Sequence, residues 1–544
     1  MGMVAFPRRF SKHARAWYCL SNSQSYSNMQ FGLICARLMP AAALFLSAPV
    51  VAQTVDGIDG IIDRFFQPLT TAVSDIVFFT VPLFGADLPL VVLWLIAGGV
   101  FFTGYFGFIN IRGFKHSLSL VRGDYSHPAH PGEVSHFQAL STAVSGTVGI
   151  GNIGGVAVAI SIGGPGAAFW MTLAGLIGMS TKFVECALGT IYRRENPDGS
   201  VSGGPMYYLE RGLKERGLLR LGKFMARFYA GGIVIGCMGI GNMFQSNQAY
   251  VQFVNVTGGL DDSWFNDKGW LFGLVIASVV ALVIIGGIKS IARVTEKLVP
   301  FMTVFYVLSA LTIIGMNYEA LPFALRAIVN GAFDSTALGG GALGVMIVGF
   351  QRAVFSNEAG IGSAAVAHSA VRTNEPITEG YVALLEPFID TVVVCTMTAL
   401  VIVTTLYYEP DFVQGLGGIE MTSAAFERNI SWSPFSIAIA GILFAFSTMI
   451  AWSYYGLKGW TYLVGESRAA DLGFKAVFCL FVVIGCSIQL SAVLDFSDAL
   501  IFLICVPNIL GLYILAPGLK RKLEIYNGKL ANGELRNYRR NPAD

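Results

Sequence analysis

Two glycine-rich stretches hold the residues best suited to gripping a small charged ligand. One reads Ser145-Gly146-Thr147-Val148-Gly149-Ile150-Gly151-Asn152-Ile153-Gly154-Gly155, the other Phe355-Ser356-Asn357-Glu358-Ala359-Gly360-Ile361-Gly362-Ser363. Each Gly costs a helix roughly 1 kcal/mol against Ala, so clusters this dense favour local unwinding. Unwound backbone at membrane depth is tolerated where it lines a protein-enclosed cavity. There its carbonyls can ring a hard cation, and the amides opening the next half-helix attract a carboxylate. The plainer reading, small residues that let helices approach, would suffice for one glycine pair.

Other polar residues sit in apolar surroundings. Thr448 and Trp452 are four apart and share a helical face, where the indole would close a pocket against side chains larger than a methyl. Asn242, Gln245, Asn247 and Gln248 fall in one apolar run, as interhelical hydrogen bonds or as ligand contacts. Lys182 and Glu185, three apart, read as a self-neutralising pair. Arg352 and Glu358 flank the second glycine stretch, as a clasp on a broken helix or as substrate contacts. Glu386 and Asp390 have no cation nearby in sequence and suit a proton path or hydrogen bonds to another helix. His368 reads as a structural side chain.

The elements that must position these residues are membrane helices. Of 544 residues only 13% are charged and 54% are hydrophobic, against about 25% charged in an ordinary soluble chain; mean hydropathy is +0.61. A net charge of +2 leaves no basic face for nucleic acid, and the 8 Cys lack the spacing of zinc sites or disulfide frameworks. Crossing a bilayer takes about 20 helical residues. Eleven runs qualify, at about 88–110, 136–162, 166–191, 224–255, 270–289, 298–317, 338–369, 380–406, 434–457, 473–493 and 497–517. The glycine stretches lie in the second and seventh. Setting the first run aside, they open two halves of five helices, about 136–317 and 338–517, which an odd number makes opposite in orientation. Corresponding breaks in inverted halves are the sequence mark of a secondary transporter's site.

Lys and Arg mark the cytoplasmic side, and they cluster in the loops at 111–134, 192–223 and 289–297 and after 518. The C-terminus is thus expected inside and the start of the first span outside. Residues 1–52 form an N-terminal extension whose apolar segment Leu38–Ala52 resembles a signal peptide, with an uncleaved anchor as the alternative. Residues 53–87 suit an amphipathic segment lying on the periplasmic membrane surface, 88–517 the helical domain, and 518–544 a cytoplasmic tail.

The stretches GTVGIGNIGGVAVAISIGGPGAAFWM (146–171), GGPMYYLERGL (203–213), GIGNMFQSNQ (239–248), FSNEAGIGSAAVAHSA (355–370) and STMIAWSYYGLKGW (447–460) resemble the alanine or glycine:cation symporter family over about residues 85–515. The resemblance implies an all-α, LeuT-like 5+5 inverted repeat with one extra N-terminal helix, and sodium-driven import of alanine or glycine across the inner membrane by alternating access. A proton-coupled carrier of small neutral amino acids is the alternative, and no other cofactor or obligate protein partner is expected. By the same resemblance, sodium would be held at Ser145, Val148, Ser447 and Thr448. Substrate would meet Thr147, Ile150, Gly151, Asn242, Phe350, Phe355, Thr448 and Trp452. Ile150 stands where the family pattern has Thr, removing one hydroxyl. A channel would need repeated polar rings along a pore, and an intramembrane enzyme a nucleophile with its base; the sequence carries neither.

Overall fold

The computed structural model describes residues 58–83, 86–197, 199–334, 341–408, 418–487 and 491–539. The signal-like segment therefore lies outside the described residues, as do Cys19 and Cys35. The described cysteines are all free.

The chain is helical nearly throughout. α1 (Ile58–Val77) is followed by a hairpin of β1 (Thr80–Leu83) and β2 (Ala86–Pro89), then by α2 (Leu90–Tyr105) and the short α3 (Phe114–Val121). Next come α4 (His136–Thr147), α5 (Gly154–Gly163), α6 (Gly166–Ile191), α7 (Pro205–Glu215) and α8 (Leu219–Val256). α9 (Gly269–Ile284), α10 (Gly287–Met316) and α11 (Leu321–Ala332) precede α12 (Gly341–Asn357) and α13 (Ala364–His368). The chain closes with α14 (Ile377–Thr405), α15 (Gly418–Glu427), α16 (Ser433–Val464), α17 (Arg468–Ser487) and α18 (Ser491–Ala531).

Among the described residues seven helices are long and apolar enough to cross a membrane, and the bent pair of α4 and the segment Ile150–Gly163 makes an eighth. Helix is present in each of the eleven expected runs among the described residues, but not every one is long enough to cross alone. α2 and α9 have 16 residues each, about 24 Å of rise against a core of about 30 Å, and α12 stops at the second glycine stretch. α18 runs to Ala531, so the expected tail begins as helix. α1 forms within the expected amphipathic segment and packs along α18.

Both glycine stretches interrupt helices. α4 starts on a capping box, in which the Gln138 amide donates to Ser135 Oγ and Ser135 N–H donates to Gln138 Oε1. It ends at Thr147, where Val148 and Gly149 are extended, and the chain bends by 60° before α5. α12 ends at Asn357, beyond which Glu358 takes the left-handed φ of 57°, an uncommon conformation for a side-chain-bearing residue. At Gly360, φ is 97° and a Cβ would sit 2.4 Å from Leu95, so both conformation and contact demand glycine.

Candidate functional site

The two breaks meet at Trp452. Its indole is fully buried on α16, and its single N–H donates to the Gly146 carbonyl at 3.3 Å and to Glu358 Oε1 at 3.0 Å. One side chain thus ties the end of α4 to the turn after α12. Glu358 also accepts from the Ser363 hydroxyl within its own break, so it clasps the turn in this structure. Gly241, in a π-helical turn of α8 (Gly239–Met243), backs the indole so closely that a Cβ there would lie 2.3 Å from the ring.

One helical turn before Trp452, α16 presents the pair expected to hold sodium. Ser145 Oγ donates to the Ser447 carbonyl at 2.6 Å, and Ser447 Oγ reaches the Ser145 carbonyl at 3.4 Å. Thr448 Oγ1 is buried without a hydrogen-bond partner among the described residues, and it lies 2.6 Å from where a Gly149 Cβ would be. Val148, fully buried, is the next residue along the unwound segment.

The expected substrate residues divide. Thr147 bonds back to the Val144 carbonyl at 3.3 Å. The Ile150 amide donates to Gln245 Oε1 at 3.4 Å, so this glutamine faces the break. A Cβ on Gly151 would be 3.6 Å from the Phe355 ring, which also stacks edge-on with Phe244 at 5.9 Å. Asn242 donates to the Phe478 carbonyl of α17 at 2.7 Å, leaving its buried Oδ1 unpartnered among the described residues. Phe350 is not brought to this group: five residues before Phe355, its ring turns to Trp170 of α6 at 6.2 Å.

A second polar cluster joins the breaks from the opposite side. Asp390 on α14 is fully buried. Its Oδ1 accepts from Asn152 Nδ2 at 2.6 Å, and its Oδ2 accepts from Ser356 at 2.9 Å and Thr391 at 2.7 Å. Asn152 belongs to the first break, Ser356 to the last turn before the second. Of the two roles the sequence left to Asp390, hydrogen bonds to another helix are present; that its partners would be the two breaks was not legible from an acid in an apolar run.

Toward the other ends of the half-helices lies a chain of buried charges. Lys182 Nζ reaches Glu386 at 2.8 Å rather than pairing with Glu185, which accepts from Asn508 at 2.8 Å. The expected i,i+3 pair is corrected because α14 and α18 bring partners within hydrogen-bond reach, Glu386 for Lys182 and Asn508 for Glu185. Glu379 takes hydrogen bonds from His136, the first residue of α4, and from His368, the last of α13, at 2.6 Å from the latter. His368 therefore does have a structural task, pinning α13 to α14.

A cavity of about 400 Å³ runs to Phe355 between α1, α12 and α18, lined by Thr71, Asp75, Arg352 and Asp495 among others. Burial raises the Asp495 carboxyl above its usual range, with the Arg352 guanidinium opposing. The arrangement offers a hard cation neutral oxygens at one break, with Phe355 at the inner end of the cavity and Trp452 bridging the two breaks.

A model described as the sodium:alanine symporter family matches residues 72–540. The chain belongs to the sodium:alanine symporter family. It is 37% identical to the sodium/alanine symporter AgcS of Methanococcus maripaludis over 81% of this chain and 94% of that protein. It is 32% identical to the probable sodium/glutamine symporter GlnT of Bacillus subtilis, over 82% and 89%. The putative sodium/proton-dependent alanine carrier YrbD of Bacillus subtilis is also 32% identical, over 81% and 90%. Among solved structures, MhsT in complex with L-phenylalanine superposes with a TM-score of 0.52 at 13% identity, covering 70% of this chain and 89% of that one. That likeness supports the LeuT-like fold. Membership of the sodium:alanine symporter family makes the chain a multi-pass membrane symporter of amino acids rather than an enzyme.

Proposed function

We propose that this protein imports alanine or glycine with sodium across the inner membrane by alternating access. Its LeuT-like core would consist of two inverted five-helix repeats, about 136–317 and 338–517, preceded by one extra helix, with the C-terminus cytoplasmic. The observation that carries the reading is the Trp452 N–H shared between Gly146 and Glu358, because it makes one side chain depend on both broken helices at once.

In this reading sodium sits among Ser145, Val148, Ser447 and Thr448. The buried, unpartnered Thr448 hydroxyl supports the placement, since a desolvated oxygen costs energy unless a donor or a cation meets it. The substrate carboxylate lies at the amides of the first break around Thr147, Ile150 and Gly151. Phe355 covers it on the side of the cavity, Trp452 limits its side chain, and Asn242 Oδ1, buried and unpartnered among the described residues, is an acceptor for it. Phe350 backs the α12 wall rather than touching substrate. The name of AgcS supports the sodium and alanine assignment; that of GlnT keeps larger side chains in play for relatives.

Proton coupling is the second reading, and Asp390 favours it. This buried carboxylate has only neutral donors around it, a setting that takes up either a proton or a small cation. Uptake into proteoliposomes separates the two: a sodium gradient at equal pH drives alanine accumulation under the first reading, and a proton gradient without sodium drives it under the second.

A further inference from the structure

A second site lies away from the translocation path, on the side that the Lys and Arg bias places inside. A cavity of about 530 Å³ between α7, α8 and the end of α16 is lined by Arg194, Arg211, Lys214, Lys223 and Arg227, against only two acids, Glu210 and Glu466. Both acids are engaged. Glu466 accepts from Arg194 at 2.7 Å and from Ser202 at 2.8 Å, and Glu210 accepts from the Tyr462 hydroxyl at 2.6 Å. Arg211 is spent on the Arg193 carbonyl at 3.0 Å. Among the described residues no acid lies within ion-pair distance of Lys214, Lys223 or Arg227, which leaves three unneutralised cations in one concave space.

The same helix continues the site in apolar form. Leu221, Phe224, Phe228 and Ile235 follow at spacings of 3, 4 and 7 along α8, one stripe of a helix. Their exposures are 40%, 67%, 39% and 47%. Phe224 and Phe228 stack at 6.2 Å beside Arg220, and Gly231, on the same stripe, faces open space. From Phe224 to Ile235 the stripe rises about 16 Å at 1.5 Å per residue. A basic cavity that opens onto an exposed apolar stripe complements a molecule with an anionic head and a long tail.

We propose that this cavity binds the headgroup of an anionic phospholipid, whose acyl chain lies along Leu221, Phe224, Phe228 and Ile235. Lys214, Lys223 and Arg227 neutralise the phosphate. The shared chemistry with a soluble phosphate ester is the headgroup alone; the apolar stripe is what selects the lipid.

The test uses the purified full-length protein, with retained lipid counted by native mass spectrometry and affinity read from titration. Phosphatidylglycerol is the probe, phosphatidylcholine and glycerol 3-phosphate the comparisons. The parent retains phosphatidylglycerol over phosphatidylcholine. K214Q/K223Q/R227Q weakens it on the order of a hundredfold, at roughly fivefold per basic side chain near the surface. R521Q/K522Q, in the neighbouring cavity, leaves it within a few fold, and F224A/F228A weakens phosphatidylglycerol without creating glycerol 3-phosphate binding. Equal retention of the two lipids overturns the proposal. So does equal loss in the R521Q/K522Q control, which means diffuse charge, or tight glycerol 3-phosphate binding that F224A/F228A leaves intact, which means a free-anion site. Should the triple variant aggregate, the parent's lipid preference and F224A/F228A decide alone.

Discussion

Trp452 offers one N–H to two acceptors, and that economy is what makes its replacement informative. Trp452→Phe keeps most of the buried ring but leaves the Gly146 carbonyl and Glu358 without their shared donor. A hydrogen bond of this kind is worth about 1–3 kcal/mol, so alanine affinity should fall about tenfold or more in equilibrium binding to the purified protein; parent-like affinity would place the substrate elsewhere. Asp390→Asn preserves shape while removing charge next to Asn152 and Ser356. If Asp390 carries or senses the coupling ion, the sodium concentration for half-maximal uptake should shift tenfold or more, and an unshifted curve removes Asp390 from coupling. Asn242 gives one N–H to the Phe478 carbonyl, and its Oδ1, unpartnered among the described residues, remains as an acceptor for a ligand.

Among the elements, α4 and α13 share one anchor, since Glu379 pins both through His136 and His368. Glu379→Gln can accept at only one of its two terminal atoms, leaving one imidazole facing an amide donor. Leaving a buried hydrogen-bonding group without its partner costs about 1–3 kcal/mol. Hydrogen exchange in 136–147 and 364–368 should quicken together, whereas quickening of one segment alone would mean that the two are pinned separately. The end of α18 has its own tie, from Tyr526 to His116 Nε2 at 2.8 Å. Burial above all, and then neighbouring His136, push the His116 imidazole down to about 4. Its folded value lies below the ordinary 6.5, so the stability contributed is present above 6.5 and is lost as pH falls toward 4. Exchange at 519–531, corrected for its intrinsic rate, should therefore rise between pH 7 and 5; protection independent of pH would contradict the tie. The elements also show what the chain disclosed in advance. The breaks were legible at Gly146 to Gly155 and Gly360 to Gly362 because glycine acts on its own backbone. Lys182 was misassigned because its partner, Glu386, lies 204 positions away, and nothing local announces such a meeting. Phe350, five residues from Phe355 on one helix, has its ring toward Trp170, a facing that spacing alone does not announce.

For the whole molecule, the 13% charge content includes a few groups put to work inside: a buried chain from Lys182 to Glu379, Asp390 joining the two broken helices, and Glu358 doing so through Trp452. Spans and breaks were readable from composition and spacing, while the Asp390 junction needed three dimensions because its partners come from α12, α14 and the first break. The central claim is that sodium and alanine bind the same two-break site and stabilise one another there. Linkage then requires each ligand to raise the other's affinity by the same factor. The most direct measurement is alanine binding to the purified protein across a sodium titration at fixed pH, with sodium binding measured reciprocally across an alanine titration. The account predicts equal enhancement factors, both reduced in Trp452→Phe. Alanine affinity that ignores sodium and follows pH instead would contradict it.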